Sequence, residues 1–515
     1  MEAFPLDPKD EFILCHKSEL EATDPRDYGD IKIVQALWDL IRMDQIIEKA
    51  HPDCERKRHC KNMLLALVAN RCIEPMSKLE FVDWVKHTEL VERLNDTEDL
   101  HENAVYRCMD HIVSVRTKIE QEIQASLKTL FNTSTDTLFY DLTSTFFTGD
   151  GPTIAEPGYS RDHRPDCKQV NWGLVMTKDG FPLTFEVYPG NRVDKTTVEH
   201  IRTKLKDKFG VKQCVFVGDR GMLTQDNLKV LKQDDNKFII ADRNDWIKVE
   251  VLTHLSDHPV DTFEKIKDNL WISEYETTEI WEGEGDEPDE EVQLRYVVCY
   301  NPENAKDETD VDKWLDKGRK ELRAVERMVA RGSIKDHDKV IERIVKKLVK
   351  VRMDRFFDWE VPPSPVEGFK WWVREEALKG LDKMGGIWVV KTNIPKEEMS
   401  AKEVALQYKQ LQLIERAFKI IKAVNLVRPV NHRKNERVEC HLFICVIAYL
   451  LERVLERVQD IRGEAPVMGP RLIRKFRNVK SFELTAGEYK TRLVTPFDDE
   501  QRALLEYIEN GARGD

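Results

Sequence analysis

The chain has 515 residues, of which 41% are hydrophobic and 34% charged, and its formal net charge is −13. Its length predicts about two to four domains, and its composition is typical of a soluble globular protein. It has no run of about eighteen apolar residues, the length that a transmembrane helix needs, and its acidic N-terminus without an apolar run argues against a signal peptide and for a cytoplasmic protein.

Residues 1–130 predict an N-terminal helical domain. Apolar residues recur three or four positions apart in IVQALWDLIRMDQIIEKA and in NMLLALVANRC, which is the spacing of one helix face. The sequence of this segment has no clean helix-turn-helix signature. Two interpretations therefore stay open: a DNA-binding or dimerising module, and a helical bundle that serves packing alone.

The pattern changes near residue 131, where β-branched and aromatic runs begin. DTLFYDLTSTFF, QVNWGLVMT and FPLTFEVYPG predict three strands, the last two joined by a KDG hairpin turn. KTTVEHIRTKLKDKF then predicts a helix, QCVFVGD a strand, TQDNLKVLKQ a helix and KFIIAD a strand. The order β-β-β-α-β-α-β predicts a mixed α/β sheet, and residues 131–243 form the first part of this core.

A long interruption follows the first core strands. Residues 244–385 contain the acidic loop EGEGDEPDEE, the strand LRYVVCY and a charged stretch typical of a solvated helical hairpin. Residues 386–460 return to the core with the strand GGIWVVKTN, a helix and the apolar packing helix CHLFICVIAYLLERVL. Residues 461–515 predict a small helical tail. The predicted fold class is α/β, a mixed-sheet core interrupted by a large insertion, with an N-terminal helical domain and a C-terminal tail.

Three carboxylates stand out by their positions. Asp141 lies inside the first core strand, Asp219 ends the strand QCVFVGD, and Glu415 lies in the late helix. A carboxylate in an apolar strand is costly unless it is paired or binds metal, and strand ends of α/β sheets bind ligands. Three such carboxylates would suit Mg²⁺ or Mn²⁺, and two ions about 4 Å apart can promote phosphoryl transfer. The alternative for each acid alone is structural: a turn or cap aspartate, or a solvated glutamate.

Taken together, these segments resemble the DDE transposases of bacterial and archaeal insertion sequences, in particular the group with a Tyr-x2-Arg-x3-Glu-x6-Lys signature. The resemblance covers roughly residues 136–451 and rests on FYDLTSTFF, GYSRDHRPDCKQVNWGLVMTKDGFPLTFEVYPGN, FVGDRGM, GIWVVKTN and the segment that begins YKQLQLIERAFKIIK. It implies an RNase H-like core with Asp141, Asp219 and Glu415 as catalytic residues and ligands of a two-metal Mg²⁺ or Mn²⁺ site. It also implies that residues 244–385 are the insertion that this group carries before its last acid.

The segment YKQLQLIERAFKIIK predicts one helix on which Tyr408, Glu415 and Lys422 share a face, because seven residues make close to two turns. The resemblance implies that this helix also holds DNA, with Tyr408 and Lys422 contacting phosphates. Leu411 stands where the signature has arginine, and Lys419, one turn after Glu415, could supply the missing charge. The alternative for Tyr408 and Lys422 is an ordinary amphipathic helix face.

Further basic residues are candidate DNA contacts. The segment 401–440 holds nine Lys or Arg against four Glu, so a local basic region exists despite the net charge of −13. The candidates, for which a solvated surface residue is the alternative, are Arg161, His163, Arg164, Lys168, Arg220, Arg428, Arg433 and Lys434. In related enzymes a tryptophan of the insertion stacks on a flipped base. Its candidates here, with core aromatic residues as the alternative, are Trp371, Trp372 and Trp388.

The predicted function is cut-and-paste DNA transposition. The enzyme would bind the terminal inverted repeats of its own element, nick one strand, close a hairpin on the element end, reopen it and join the 3′-hydroxyl to target double-stranded DNA. The hairpin rests on the resemblance alone. Because two ends must be joined, we expect a homodimer, cytoplasmic and associated with the nucleoid when it acts, with no membrane partner. Two rivals stay open: an RNase H-like structure-specific nuclease without strand transfer, and a non-catalytic DNA-binding relative.

Overall fold

The structure, a computed structural model, describes most of the chain. The residues described are 16–51, 57–95, 100–192, 197–218, 225–232, 235–241, 251, 254–255, 257–281, 283, 288–304, 311–351, 353–365, 368–375, 386–428 and 430–511. The chain divides into two compact units, one made of Met1–Asn236 with Gln410–Asp515 and the other of Lys237–Lys409. Within the described ranges, no helix is long and apolar enough to cross a membrane.

The first unit begins with a short strand and a group of helices. These are β1 (Leu20–Asp27), α1 (Gly29–Leu40), α2 (Met43–Ala50), α3 (Lys57–Ile73), α4 (Lys78–Lys86), α5 (Leu90–Asn95), α6 (Glu102–Ser114) and α7 (Arg116–Phe131). Helix α4 begins with a capping box, because Ser77 and Glu80 each accept a hydrogen bond from the other's main-chain N–H. Helix α7 is capped at its C-terminus by Asn132, which adopts the left-handed conformation at φ 51°. The predicted helices are present, whereas β1 is a strand that its sequence, LEATDPRD, does not indicate.

A mixed sheet follows in the same unit. Its elements are β2 (Thr137–Phe146), β3 (Gln169–Thr177), β4 (Pro182–Pro189), α8 (Val198–Phe209), β5 (Val215–Gly218) and α9 (Gln225–Lys232). The strand order is β4-β3-β2-β5, with β2, β3 and β4 antiparallel and β5 parallel to β2. Every residue of β3 is buried, so both faces of the sheet are covered. Gly173 in β3 is required by packing, since a Cβ there would lie 2.6 Å from the Tyr140 ring of β2.

The second unit combines antiparallel strands with a helical hairpin. Its elements are β6 (Lys237–Ala241), β7 (Glu264–Lys267), β8 (Leu270–Trp281), β9 (Glu290–Tyr300), α10 (Val311–Ala330), α11 (His337–Lys350), β10 (Phe357–Glu360), β11 (Lys370–Val373), β12 (Ile387–Thr392) and α12 (Ala401–Lys409). Five strands pair antiparallel in the order β6-β12-β9-β8-β7. The predicted charged hairpin is α10 and α11, which pack with the β10–β11 pair around Leu322, Ile344 and Phe357.

The chain then completes the first unit. The remaining elements are α13 (Gln412–Ala423), α14 (Asn435–Ile461), α15 (Gly469–Lys475), β13 (Lys480–Ala486), β14 (Tyr489–Val494) and α16 (Asp499–Glu509). Helix α14, the predicted apolar packing helix, is buried over most of its 27 residues and contacts α3 and α6. Strands β13 and β14 form a hairpin that pairs with β1, in the order β1-β13-β14. The order β-β-β-α-β-α-β from β2 to β6 confirms the predicted mixed α/β class, and the predicted helical tail additionally contains this hairpin.

Candidate active site

Asp141 lies in the middle of β2, opposite Leu174 of β3. Its side chain is half-buried, and its Oδ1 accepts a hydrogen bond of 2.7 Å from the main-chain N–H of Leu142. The strand on either side of it is buried. A carboxylate at such a position has lost part of its hydration, so a cation beside it would stabilise the site.

Strand β5 runs parallel to β2 and its described part ends one residue before an aspartate. The register pairs Gly218 of β5 with Tyr140 of β2. The next residue in each sequence is an aspartate, Asp219 after Gly218 and Asp141 after Tyr140. Asp219 itself and the candidate DNA contact Arg220 lie outside the described residues.

Helix α13 packs on the face of the sheet that carries Asp141. Thr143 and Thr145 share this face with Asp141, because alternate residues of a strand point the same way. Trp172 of β3 pairs with Thr143 and donates its Nε1–H to Thr145 Oγ1 at 3.0 Å, so its ring lies on this face as well. The Phe418 ring of α13 meets the Trp172 ring edge-on, with 5.1 Å between the ring centroids.

Glu415 lies in the first turn of α13, three residues before Phe418. Residues three apart lie on the same side of a helix, and the Glu415 side chain is exposed. Asp141 and Glu415 are therefore carried to the same side of the sheet by two different elements. Among the residues that the structure describes, no group of three or more His, Cys, Asp or Glu side chains is arranged to hold a metal ion; Asp219 is not one of these residues.

A protein-family model described as the transposase DDE domain matches residues 135–451. The chain belongs to this transposase family. The matched range contains Asp141, Asp219 and Glu415, and it confirms the resemblance inferred from the sequence. Among solved structures, a cryo-EM structure of a piggyBac transposase synaptic complex with hairpin DNA is similar at a TM-score of 0.38 and 10% identity, over 89% of this chain and 82% of that chain. A comparison with curated proteins gave no match.

In this transposase the segment predicted as one signature helix is two helices. Helix α12 ends at Lys409 and α13 begins at Gln412, with residues 410 and 411 in a turn. The prediction of one continuous helix is therefore wrong. Tyr408 lies in the last turn of α12, so the seven-residue spacing no longer puts it on the face of Glu415.

Tertiary contacts explain the break. At the end of α12, the Lys409 ammonium lies 3.3 Å from Asn269 Oδ1 and 5.8 Å from the centroid of the Trp388 ring, both in the second unit. Leu411, in contrast, belongs to the first unit and is 6% exposed. The position where the signature has arginine is thus a core position in this chain.

Lys422, expected to meet a DNA phosphate, is 8% exposed. Its Nζ lies 2.8 Å from Asp162 Oδ1, and Arg428 forms an ion pair with the same oxygen. Burial lowers the pKa of Lys422, and the Asp162 carboxylate opposes that shift. Asp162 therefore already pairs with the Lys422 ammonium, the group that the resemblance implies should bind DNA.

Sequence reasoning missed Asp162. In YSRDHRPD it looks like one more solvated charge between basic neighbours. Its side chain is only 1% exposed, and its lysine partner lies 260 residues away in sequence. The one available signal was an acid among candidate DNA-binding cations, which does not identify the partner.

The other basic candidates differ in exposure. Arg161 is half-buried, and its main-chain N–H donates to Ser144 Oγ at 3.0 Å. Arg164 forms a 2.7 Å ion pair with Asp166 and covers the Phe146 ring at 5.0 Å. The Arg164 guanidinium holds the pKa of the Asp166 carboxyl well below its usual range. The exposed candidates are His163, Lys168, Lys419, Arg433 and Lys434.

The three candidate stacking tryptophans also differ. Trp371 donates its Nε1–H to Glu326 Oε1 at 2.8 Å and meets the Phe357 ring edge-on, so it belongs to an apolar cluster of the second unit. Trp388 is half-buried in β12. Trp372 is 48% exposed, so its ring has the most open surface of the three for contact with a base.

Proposed function

We propose that this chain is a metal-dependent cut-and-paste transposase whose catalytic carboxylates are Asp141, Asp219 and Glu415. The packing of α13 on the sheet face that bears Asp141 is the observation that supports this most directly, because it puts Glu415 on the same side. Membership of the transposase family supports DNA cleavage and transfer as the chemistry. Residues 1–130 are the proposed DNA-binding or dimerising domain, and residues 244–385 the proposed insertion.

The donor set fits Mg²⁺ or Mn²⁺. These hard cations prefer carboxylate oxygens, and a cation of this kind would stabilise the half-buried Asp141 carboxylate in β2. Asp141, Asp219 and Glu415 would hold the metal, which when bound activates an attacking oxygen and stabilises the leaving one. The protein's own part is orientation: the Leu142 N–H fixes Asp141 Oδ1, and the contact between Phe418 and Trp172 fixes the helix that carries Glu415.

Exposed cations supply the DNA-binding surface that the proposal needs. Lys419 lies one turn beyond Glu415 on α13, and Arg433 and Lys434 lie just before α14. Ammonium and guanidinium groups bind backbone phosphates without reading the sequence, so they position the DNA. Tyr408 would add a directional hydroxyl, and Trp372 an aromatic face for a base.

The reaction we propose exchanges one phosphorus–oxygen bond for another at each step. Water breaks a phosphodiester bond at the end of the element and leaves a 3′-hydroxyl. This hydroxyl attacks the opposite strand to close a hairpin, water reopens the hairpin, and the released 3′-hydroxyl attacks target DNA. A homodimer would hold the two terminal inverted repeats of the element together.

A cleavage assay tests the proposal. Duplexes carrying the ends of the element are incubated with Mg²⁺ or Mn²⁺ and with wild type, Asp141→Asn, Asp219→Asn or Glu415→Gln, and the products are separated on a denaturing gel. We expect nicks and hairpins from wild type and a loss of at least about a hundredfold in each variant, because each removes a ligand of the reacting centre. Asp83→Asn, an exposed acid on α4, is the matched control and should cleave like wild type.

Other outcomes point to other functions. Metal-dependent nicks without a hairpin or joined product would favour the structure-specific nuclease. DNA binding without cleavage by wild type would favour a non-catalytic relative. Cleavage that survives Glu415→Gln in a correctly folded variant would contradict the assignment of Glu415.

A further inference from the structure

A cavity of about 400 Å³ opens at the N-terminus of α4 in the first unit. Exposed Leu79 and Leu426 lie at its mouth, and buried Arg71, Lys78 and His441 lie deeper. We call it the Lys78 cavity. Among the described residues that line it, neither Asp141 nor Glu415 is present.

Two buried cations line this cavity, and neither forms an ion pair with a carboxylate among the described residues. Lys78 is 5% exposed, and its Nζ has no hydrogen-bond partner among the residues described. Arg71 is 3% exposed and donates only to main-chain carbonyls, those of Met76, Asn425 and Leu426, while its Nε has no partner in the described part of the chain. Positive charge buried in this way is costly unless an anion joins it.

The rest of the lining does not balance this charge. Among the described lining residues Glu102 is the one carboxylate, and it accepts a hydrogen bond of 2.7 Å from the Tyr106 hydroxyl. Burial and the neighbouring Lys78 and Arg71 charges lower the pKa of His432 to about 3. The same causes hold the pKa of the neighbouring His441 well below its usual value, so both imidazoles are neutral at pH 7.

The backbone adds to the attraction for an anion. Lys78 is the first residue of α4, whose capping box fixes the helix start. The N-terminus of a helix carries a partial positive charge and unpaired N–H groups, and phosphate groups bind there in many proteins. Lys78 Nζ and Arg71 Nε are thus buried donors of residues that line the same cavity as this helix end.

We propose that the Lys78 cavity binds a phosphate group. The phosphate could belong to the DNA backbone, which would rest on the proposed function, or be free in solution. Arg428 favours DNA as the source, because it lines the cavity and also pairs with Asp162, the partner of Lys422. A backbone phosphate in the cavity would thus be linked through two side chains to the lysine of α13.

Thermal unfolding of the full chain tests the phosphate site. Wild type and Lys78→Met are unfolded in sodium phosphate and in sodium chloride of equal ionic strength at pH 7. We expect phosphate to raise the Tm of wild type by about 2–4 °C relative to chloride, as for a weak ligand of the folded state, and to leave Lys78→Met unchanged. Lys86→Met, at the exposed end of the same helix, is the control and should respond like wild type.

Leu79→Glu guards against a folding artefact. Leu79 is 66% exposed, so the substitution should not disturb packing, but it places a negative charge at the mouth. It should remove the response to phosphate as Lys78→Met does. The proposed site is overturned if phosphate raises the Tm of wild type no more than chloride does and Lys78→Met also leaves DNA binding unchanged.

DNA binding without metal separates the two sources. The dissociation constant for duplex DNA is measured in EDTA over a range of salt concentrations. If Lys78 meets a backbone phosphate, Lys78→Met lowers the slope of log K against log salt by about 0.9, whereas Lys86→Met does not. A phosphate response with an unchanged slope would overturn DNA as the source and leave free phosphate. This binding measurement does not involve cleavage. A failure of wild type to cleave DNA would therefore overturn the proposed function but would leave the result for the phosphate site unchanged.

Discussion

Two clusters of cations in the first unit differ in whether a carboxylate joins them. Lys422 and Arg428 share Asp162, whose side chain is 1% exposed. Lys78 has no hydrogen-bond partner among the described residues, and Arg71 donates only to main-chain carbonyls. A buried cation with its carboxylate completes a structural contact, whereas one without it favours binding of an anion from outside.

The difference changes which residues we expect to meet phosphate. The resemblance implies that Lys422 contacts a DNA phosphate, yet its charge is already paired with Asp162 inside the protein. Lys78, which lies in the N-terminal helices and carries no sequence signal, has an unbalanced charge.

Asp162→Asn should have the largest effect on stability. Removing the carboxylate leaves Lys422 and Arg428 without their shared partner, and breaking a buried ion pair from one side lowers the free energy of unfolding by about 3 kcal/mol. Denaturant titration followed by circular dichroism measures the change. The matched control is Asp166→Asn in the same loop, whose pair with Arg164 is exposed and should not shift the midpoint. Equal midpoints for both variants would show that Asp162 is not the counterion of a buried cluster.

Lys78→Met should change stability in the opposite direction. Burial lowers the pKa of Lys78 from its ordinary value of 10.5 to about 7. Below pH 7 the folded protein carries the cost of a buried charge, and this cost fades as pH rises from 7 to 10.5. The variant should therefore be more stable than wild type by about 2 kcal/mol at pH 6, with the difference shrinking towards pH 10. Unfolding midpoints at both pH values check this, and a variant less stable than wild type at pH 6 would contradict it.

The core strands were predictable because their signals are local. QVNWGLVMT corresponds to β3, Gln169–Thr177, residue for residue, and the runs around β2 and β4 differ from the observed strands by one residue at each end. Apolar β-branched and aromatic runs of this kind leave few alternatives. Strand β1 contains Pro25 and four charged residues, and it forms only because β13, more than 450 residues later, pairs with it. No local pattern carries that information.

The candidate site likewise has features with a local sequence signal and features without one. Asp141 and Glu415 could be named as candidates because each stands in a short motif of the family, and their catalytic role stays a prediction. The break between α12 and α13 was not predictable, because the amphipathic pattern continues through residues 410 and 411 while contacts in different units hold Lys409 and Leu411. The pairing of Lys422 with Asp162 was equally out of reach, because it depends on where a distant loop lies.

The same comparison can be made for a buried carboxyl group, that of Glu452. It lies in α14, is 1% exposed, accepts a 2.9 Å hydrogen bond from Asn425 Nδ2, and burial raises its pKa to about 8. Its folded form holds a proton more tightly than the unfolded chain, so its contribution to stability is present below about pH 4.5 and is lost as pH rises through 8. Glu452→Gln should therefore be more stable than wild type by about 1 kcal/mol at pH 8 and no different at pH 4.5.

A neighbour on the same helix provides the control. Glu456 lies one turn further along α14 and pairs with Arg416 and Arg453. Its charge is balanced, so Glu456→Gln should destabilise the protein at pH 8, the opposite sign to Glu452→Gln. If both variants moved in the same direction, balance of the buried charge would not be what sets their stability.

The smallest expected effect separates the two lysines of α13. Lys419 is exposed, so Lys419→Met should lower the slope of log K against log salt for duplex DNA by about 0.9, the value for one lost phosphate contact. Lys422→Met should lower this slope by less. In the free protein Lys422 is already paired with Asp162, and a DNA phosphate would have to displace that carboxylate. Both slopes are measured in EDTA with the same duplex. Equal decreases would mean that DNA takes Lys422 away from Asp162, so that the ion pair is a contact of the free protein which opens on binding.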